Sequence, residues 1–164
     1  MLRDDDGSLP EIVFDFGGQN LVAQAYQTIQ SRASCLASPN AYYWSRKREC
    51  ECPIHYGDDP VQAFLDGDAE GFHVVFGGLH AANGAPVPDL GVAVLGADYI
   101  VLDYRMGPAW NTAAVAGLFE IMQALVMLLP VVEIRHTENI GDDNGAVLPA
   151  LFRRWMESAS HLQT

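Results

Sequence analysis

Only three residues, Gly96-Ala97-Asp98, separate two apolar runs at 91–95 and 99–104. A connection that short cannot carry a crossover, so the two runs are expected to form an antiparallel hairpin. A further strand is expected just upstream at 72–76, stopped by Gly77–Gly78. Three strands in succession ahead of one long apolar segment do not read as regular βαβ alternation. They predict an α+β fold, with a mainly antiparallel sheet and helices packed against it.

The rest of the chain fits one domain of that kind. Residues 11–16 alternate, with Ile12, Phe14 and Phe16 on one face and Glu11, Val13 and Asp15 on the other. That is a strand with one wet face. Gly17–Gly18 breaks it, and Asn20 stands where a cap is needed for a helix to about residue 33. The stripe of that helix is Leu21, Val22, Ala25, Tyr26 and Ile29, at helical spacing. Pro39–Asn40 marks a turn before an aromatic strand at Tyr42, Tyr43 and Trp44. Asp59 caps a short helix to about residue 65, with Pro60 at its first position. Residues 81–90, rich in Gly, Pro and Asn, predict a surface loop. A long helix is expected at 112–129, a strand at 131–135, a polar loop at 141–145 and a last helix at 147–158. Residues 1–10 are expected to be frayed.

Charge narrows the function classes. From Glu49 to Tyr104 the chain carries ten acidic residues and no Lys or Arg. The net charge of −12 is therefore concentrated, while Arg46, Lys47 and Arg48 sit together at its border. Such a field repels nucleic acid and anionic lipid and attracts basic partners. Acids at Asp4, Asp5 and Asp6, with no apolar run after them, argue against an export signal and predict a cytoplasmic protein. Segment 112–129 is at the short limit for a membrane span and holds Glu120 and Gln123 near its middle. It predicts a buried core helix and no membrane partner, with a homodimer through one of its faces as the alternative use of its apolar surface.

Motifs that carry chemistry are sparse. Cys35, Cys50, Cys52 and His55 supply zinc-type donors, but the Cys-x-Cys spacing lacks the tight knuckle of structural zinc, and unligated thiols are expected. Asp66-Gly67-Asp68-Ala69-Glu70-Gly71 matches half of a calcium loop, yet its twelfth position is Gly77 where a bidentate Glu is needed. A solvated acidic turn is the expectation. No HExxH, Gly-x-Ser-x-Gly, GxGxxG or Walker pattern occurs. The chain thus predicts no catalytic residue, metal or cofactor. An enzymatic or metal-binding module, the alternative, would use the Cys35/Cys50/Cys52/His55 group or a carboxylate cluster near Asp103. Asp103-Tyr104-Arg105-Met106-Gly107-Pro108-Ala109-Trp110 reads as a strand–helix corner. Asn111 caps the helix, Trp110 staples it, and Asp103 and Arg105 are placed for an ion pair.

The acidic start running into a strand, Asp4-Asp5-Asp6-Gly7-Ser8-Leu9-Pro10-Glu11-Ile12-Val13-Phe14, joins this corner and the α+β order. Together they resemble, in overall type, the small bacterial immunity proteins encoded beside polymorphic or contact-delivered toxins. The resemblance implies a cytoplasmic, non-enzymatic inhibitor that binds one toxin domain tightly. On that reading Asp58, Asp59, Asp66, Asp68 and Glu70, with Asp142 and Asp143, supply rim charges against a basic toxin. Tyr42, Tyr43 and Trp44 supply aromatic anchors, since interface energy concentrates in a few such side chains.

Overall fold

A computed structural model describes residues 9–137 and 143–161. Strand β1 (Glu11–Asp15) leads through Gly17–Gly18, both left-handed at φ 60° and 81°, into helix α1 (Val22–Gln30). Next come β2 (Cys35–Leu36), β3 (Tyr42–Ser45), β4 (Cys50–Pro53) and α2 (Pro60–Leu65). Strands β5 (Phe72–Gly77), β6 (Leu79–His80), β7 (Pro86–Val87), β8 (Leu90–Val94) and β9 (Tyr99–Tyr104) precede α3 (Thr112–Val126). Strand β10 (Glu133–Thr137), a 3₁₀ turn (Asp143–Ala146) and α4 (Val147–His161) follow. Six strands form one sheet in the order β10-β1-β9-β8-β5-β2, antiparallel at every pairing. β3–β4 and β6–β7 are separate two-stranded ribbons. The chain is an α+β protein, as the strand succession predicts.

Alternation decides which face of the sheet is buried. Ile12, Phe14, Phe72, Val74, Phe76, Leu90, Val92, Val94, Ile100, Leu102 and Tyr104 all point to one side and join the core. Helices cover that side because their own apolar stripes need it. Val22, Ala25, Tyr26 and Ile29 of α1 are fully buried, with Tyr26 edge-on to Phe72 and Phe76. Phe119 of α3 meets Phe152 and Trp155 of α4 at ring separations of 5.6 and 5.8 Å. Each fully buried side chain of this size contributes about 1.5–3 kcal/mol. The other face carries Glu11, Val13, Asp15, His73, Val75, Ala93, Tyr99, Val101, Asp103 and Arg135. Its apolar members Val13, Val75, Ala93 and Val101 lie outside the core cluster.

Helix α3 is apolar all round because its own chain surrounds it. Ala114, Gly117, Leu118, Phe119, Ile121, Met122 and Leu125 are buried. A Cβ on Gly117 would stand 2.5 Å from Val87 and 3.0 Å from Ala81, so the bare position lets the β6–β7 ribbon lie against the helix. Glu120 accepts the Ala82 amide at 2.6 Å, which gives the mid-helix carboxylate a use. No helix among the described residues is long and apolar enough to cross a membrane.

Several element bounds differ from the sequence expectation. The α1 cap position is Leu21 rather than Asn20, because the Val22 amide is already tied to the Ala97 carbonyl at 3.3 Å. Residues 81–90 are not all loop: Ala81 to Ala85 turns tightly and joins β6 to β7. α3 ends at Val126 with Met127 as its C-cap, three residues short of the expected end. The last strand lies two residues further on than expected, where Glu133–Thr137 pairs with Asp15–Glu11. Pro10 is buried rather than frayed, and its carbonyl accepts the Tyr104 amide at 3.3 Å. The expectation of fraying otherwise falls on residues 1–8, outside the described residues.

Candidate functional site

The β3–β4 ribbon sorts the expected anchors. Alternation puts Tyr42 and Trp44 on one side, 48% and 40% exposed, and Tyr43 on the other. Tyr42 and Trp44, with Glu51, Glu70, Gly71, Phe72 and His73, line an open hollow of about 490 Å³. Tyr43 lies with Asp58, Asp59, Pro53, Ile54, Pro60 and Ala63 around a smaller hollow of about 280 Å³. The expected set is therefore split in two rather than gathered in one patch. Glu51 and His73 belong to the first hollow and were not among the expected partner residues. Glu51 stands opposite Trp44 across the ribbon and His73 comes from β5, placements set by strand pairing that the sequence does not display.

The expected acids do different work. Asp68 turns inward: its Oδ1 accepts the Ser45 hydroxyl and the Lys47 amide, both at 2.9 Å, and anchors the turn of the ribbon. The Lys47 amide bond, against some desolvation, holds its carboxyl below the usual carboxylate range. Glu70 is exposed and pairs with Arg46 at 3.7 Å, a surface contact worth about 0–1 kcal/mol. Asp58 Oδ2 accepts the His55 amide at 2.7 Å. Asp59 holds the α2 cap position, but its side chain accepts Gln27 Nε2 at 3.0 Å instead of capping. Asp66 accepts Gln62 Nε2 at 2.8 Å, one turn along α2. Asp142 lies outside the described residues, as does the side chain of Asp143.

The donors of the alternative metal site do not meet. Cys35 sits on β2 at the edge of the main sheet, whereas Cys50 and Cys52 are on β4. Among the described residues no three His, Cys, Asp or Glu side chains are placed to hold a metal ion. Burial disfavours ionisation of the Cys52 thiol, but hydrogen bonds from Arg48 Nη2, at 2.7 Å, and from Tyr43 outweigh it and lower its pKa.

At the corner after β9 the Asn111 cap forms as expected, whereas Trp110 packs back on β9 and the Asp103–Arg105 ion pair is not made. Asn111 Oδ1 accepts the Ala114 amide at 3.0 Å. Trp110 is buried, packs edge-on against Tyr104 and donates from Nε1 to the Arg105 carbonyl at 2.8 Å. Asp103 does not pair with Arg105, which lies beyond the end of β9. Its Oδ2 instead meets His73 Nε2 at 2.6 Å, two strands away. That hydrogen bond, opposed by partial burial, raises the His73 pKa above 6.5.

Asp103 belongs to a row of charges on the helix-free sheet face, the one that no helix among the described residues covers. Register sets it directly opposite Glu11, and sets Asp15 opposite Glu133. Arg135 bridges the second pair, at 3.4 Å to Asp15 and 3.8 Å to Glu133. The row ends at His73, which is also a wall of the Tyr42–Trp44 hollow. The hollow and the sheet face are thus one continuous surface.

No family model and no curated protein matches the sequence. The fold has a solved counterpart. A chain in the 1.75 Å crystal structure of the toxic C-terminal tip of CdiA from Pseudomonas aeruginosa in complex with immune protein aligns with a TM-score of 0.54. The match covers 83% of this chain and 89% of that one at 15% identity, which shows a shared fold.

Proposed function

We propose that this chain is a non-enzymatic immunity protein that binds and neutralises a cognate toxin domain through its acidic surface. The observation that carries the reading is the fold, which follows a chain from a toxin–immune protein complex over 83% of the length. The resemblance of the 4–14 and 103–110 segments to immunity proteins supports the same role. So does the unbroken anionic stretch, whose Glu51 and Glu70 stand beside the exposed Tyr42 and Trp44. Rim carboxylates speed the approach of a basic partner, and aromatic anchors hold it. Action in the cytoplasm of the producing cell, by binding alone and without metal or cofactor, completes the reading.

The test co-expresses the chain with the C-terminal domain encoded by the reading frame beside its own. The expected result is growth arrest by that domain alone, rescue by the chain, and a stoichiometric complex weakened by salt. A domain that arrests growth and is neither bound nor neutralised overturns the reading.

A second reading draws on one observation, the His73–Asp103 pair. A carboxylate-oriented imidazole is an acid–base unit of hydrolases, and this one opens on the hollow. Turnover of ester or phosphodiester substrates that is lost in His73→Ala would favour an enzyme.

A further inference from the structure

We propose that the helix-free face of the six-stranded sheet is the plane on which the basic face of the toxin domain docks, in one interface with the Tyr42–Trp44 hollow. This rests on the immunity reading and adds a surface that none of the expected partner residues occupies.

The plane has the make-up of an interface. Across it in register run Arg135, Val13, Val101, Ala93 and His73, and beside them Thr137, Glu11, Asp103, Gly91 and Val75. Its centre is small and apolar: Val13, Val75 and Ala93 are partly exposed around Val101, which is buried at 7%. Its border is charged, and the charges are set against one another. Glu11 faces Asp103 and Asp15 faces Glu133, and like charges directly opposite on a sheet are destabilising. Arg135 compensates one pair, and His73 draws Asp103 away in the other. Glu11 is left with a long contact to Thr137 at 3.5 Å. A cation arriving from a partner gives this arrangement a use.

Charge also selects the occupant. A second copy docked face to face would bring the same four carboxylates together, whereas a partner bearing Arg or Lys meets them as counter-ions. Size makes the hollow part of the same interface. Five strands of five residues span about 19 by 17 Å, on the order of 300–400 Å², below the roughly 800 Å² per partner of a standard complex. Continuation past His73 over Trp44 and Tyr42 extends that area.

The experiment measures binding of the domain encoded by the adjacent reading frame to the whole chain and three variants. Glu11→Lys with Val13→Arg changes the plane, Trp44→Ala changes the hollow, and Met127→Glu is a remote control at a residue 74% exposed. The plane variant is expected to bind about 100-fold more weakly and the control within about threefold of wild type. A plane variant with an unchanged thermal transition and near-wild-type affinity overturns the docking plane. Loss on Trp44→Ala in the same series leaves the immunity reading standing. No complex with the wild-type chain overturns both. Should the plane variant fail to fold, Thr137→Arg, at an exposed position on the edge of the plane away from the hollow, decides: weaker binding supports the plane, and wild-type affinity overturns it. Dimerisation of the chain alone through this face, lost in the plane variant, also overturns it.

Discussion

Asp103 reaches His73 across an intervening strand because Gly91 lies between them. The two residues sit diagonally over β8, and a Cβ on Gly91 would overlap the Asp103 carboxylate. The missing side chain is thus the channel through which the hydrogen bond runs, and the sheet face stays flat there.

Gly91→Ala is expected to push the carboxylate aside and break the bond to His73. Stability is expected to fall by about 1 kcal/mol, because the displaced carboxylate loses His73 and is returned toward Glu11, a like charge directly opposite, which outweighs the better strand fit of Ala. The reporter is the His73 titration followed by NMR, which moves back toward 6.5 in Gly91→Ala and in Asp103→Asn. A titration identical to wild type would show that the pair does not form in solution.

The same bond gives stability a pH dependence. Bonding to Asp103 raises the folded-state pKa of His73 above the 6.5 of the unfolded chain. Its stabilisation is therefore fully present below pH 6.5 and is lost as pH rises through the folded-state value. Urea unfolding of wild type and His73→Gln across this window is expected to show the largest gap on the acid side. A gap that widens on the alkaline side would reverse the assignment.

Tyr26 is fully buried between α1 and the sheet, yet its hydroxyl has no hydrogen-bond partner among the described residues. Burial first, then Asp59 and Asp58, push its pKa upward, so it stays neutral. Tyr26→Phe removes a desolvated polar group while keeping the ring against Phe72 and Phe76. The expected effect is a gain of about 1 kcal/mol in the free energy of unfolding, read from a higher midpoint of chemical unfolding. A loss of that size would mean that the hydroxyl has a bound water.

Around the Tyr42–Trp44 hollow, Glu51→Lys with Glu70→Lys changes charge at two exposed positions without touching the core. The association rate with the toxin domain is expected to fall about tenfold, and its dependence on salt to flatten. Asp68→Lys instead destabilises the fold, because Asp68 holds Ser45 and the Lys47 amide. Stopped-flow rates at two ionic strengths, beside melting curves, separate the two outcomes.

Short-range pattern carried much of the architecture. The β8–β9 hairpin, the wet face of β1 and the Asn111 cap were all legible, because loop length, alternation and cap chemistry are local. Sheet order was not. Nothing in residues 11–15 says that they lie between 99–103 and 133–137, since a strand with one wet face fits many positions. β2, β6 and β7 are two residues long and carry no period to read. The site was legible in the same measure. Tyr42, Trp44 and Glu70 do share a hollow, but alternation sends Tyr43 elsewhere and the ribbon turn uses Asp68. The His73–Asp103 contact depends on the register of three strands, which one sequence does not display.

The central place of β1 sets a timetable for making this protein. Glu11 leaves the ribosome 126 residues ahead of its neighbour Thr137. Until β9 and then β10 emerge, the first strand has no partner on either side, and its apolar face, Ile12 and Phe14, stays open. Synthesis at roughly 5–20 residues per second leaves that strand waiting for about 6–25 seconds. Closure of the sheet is therefore among the last steps of folding.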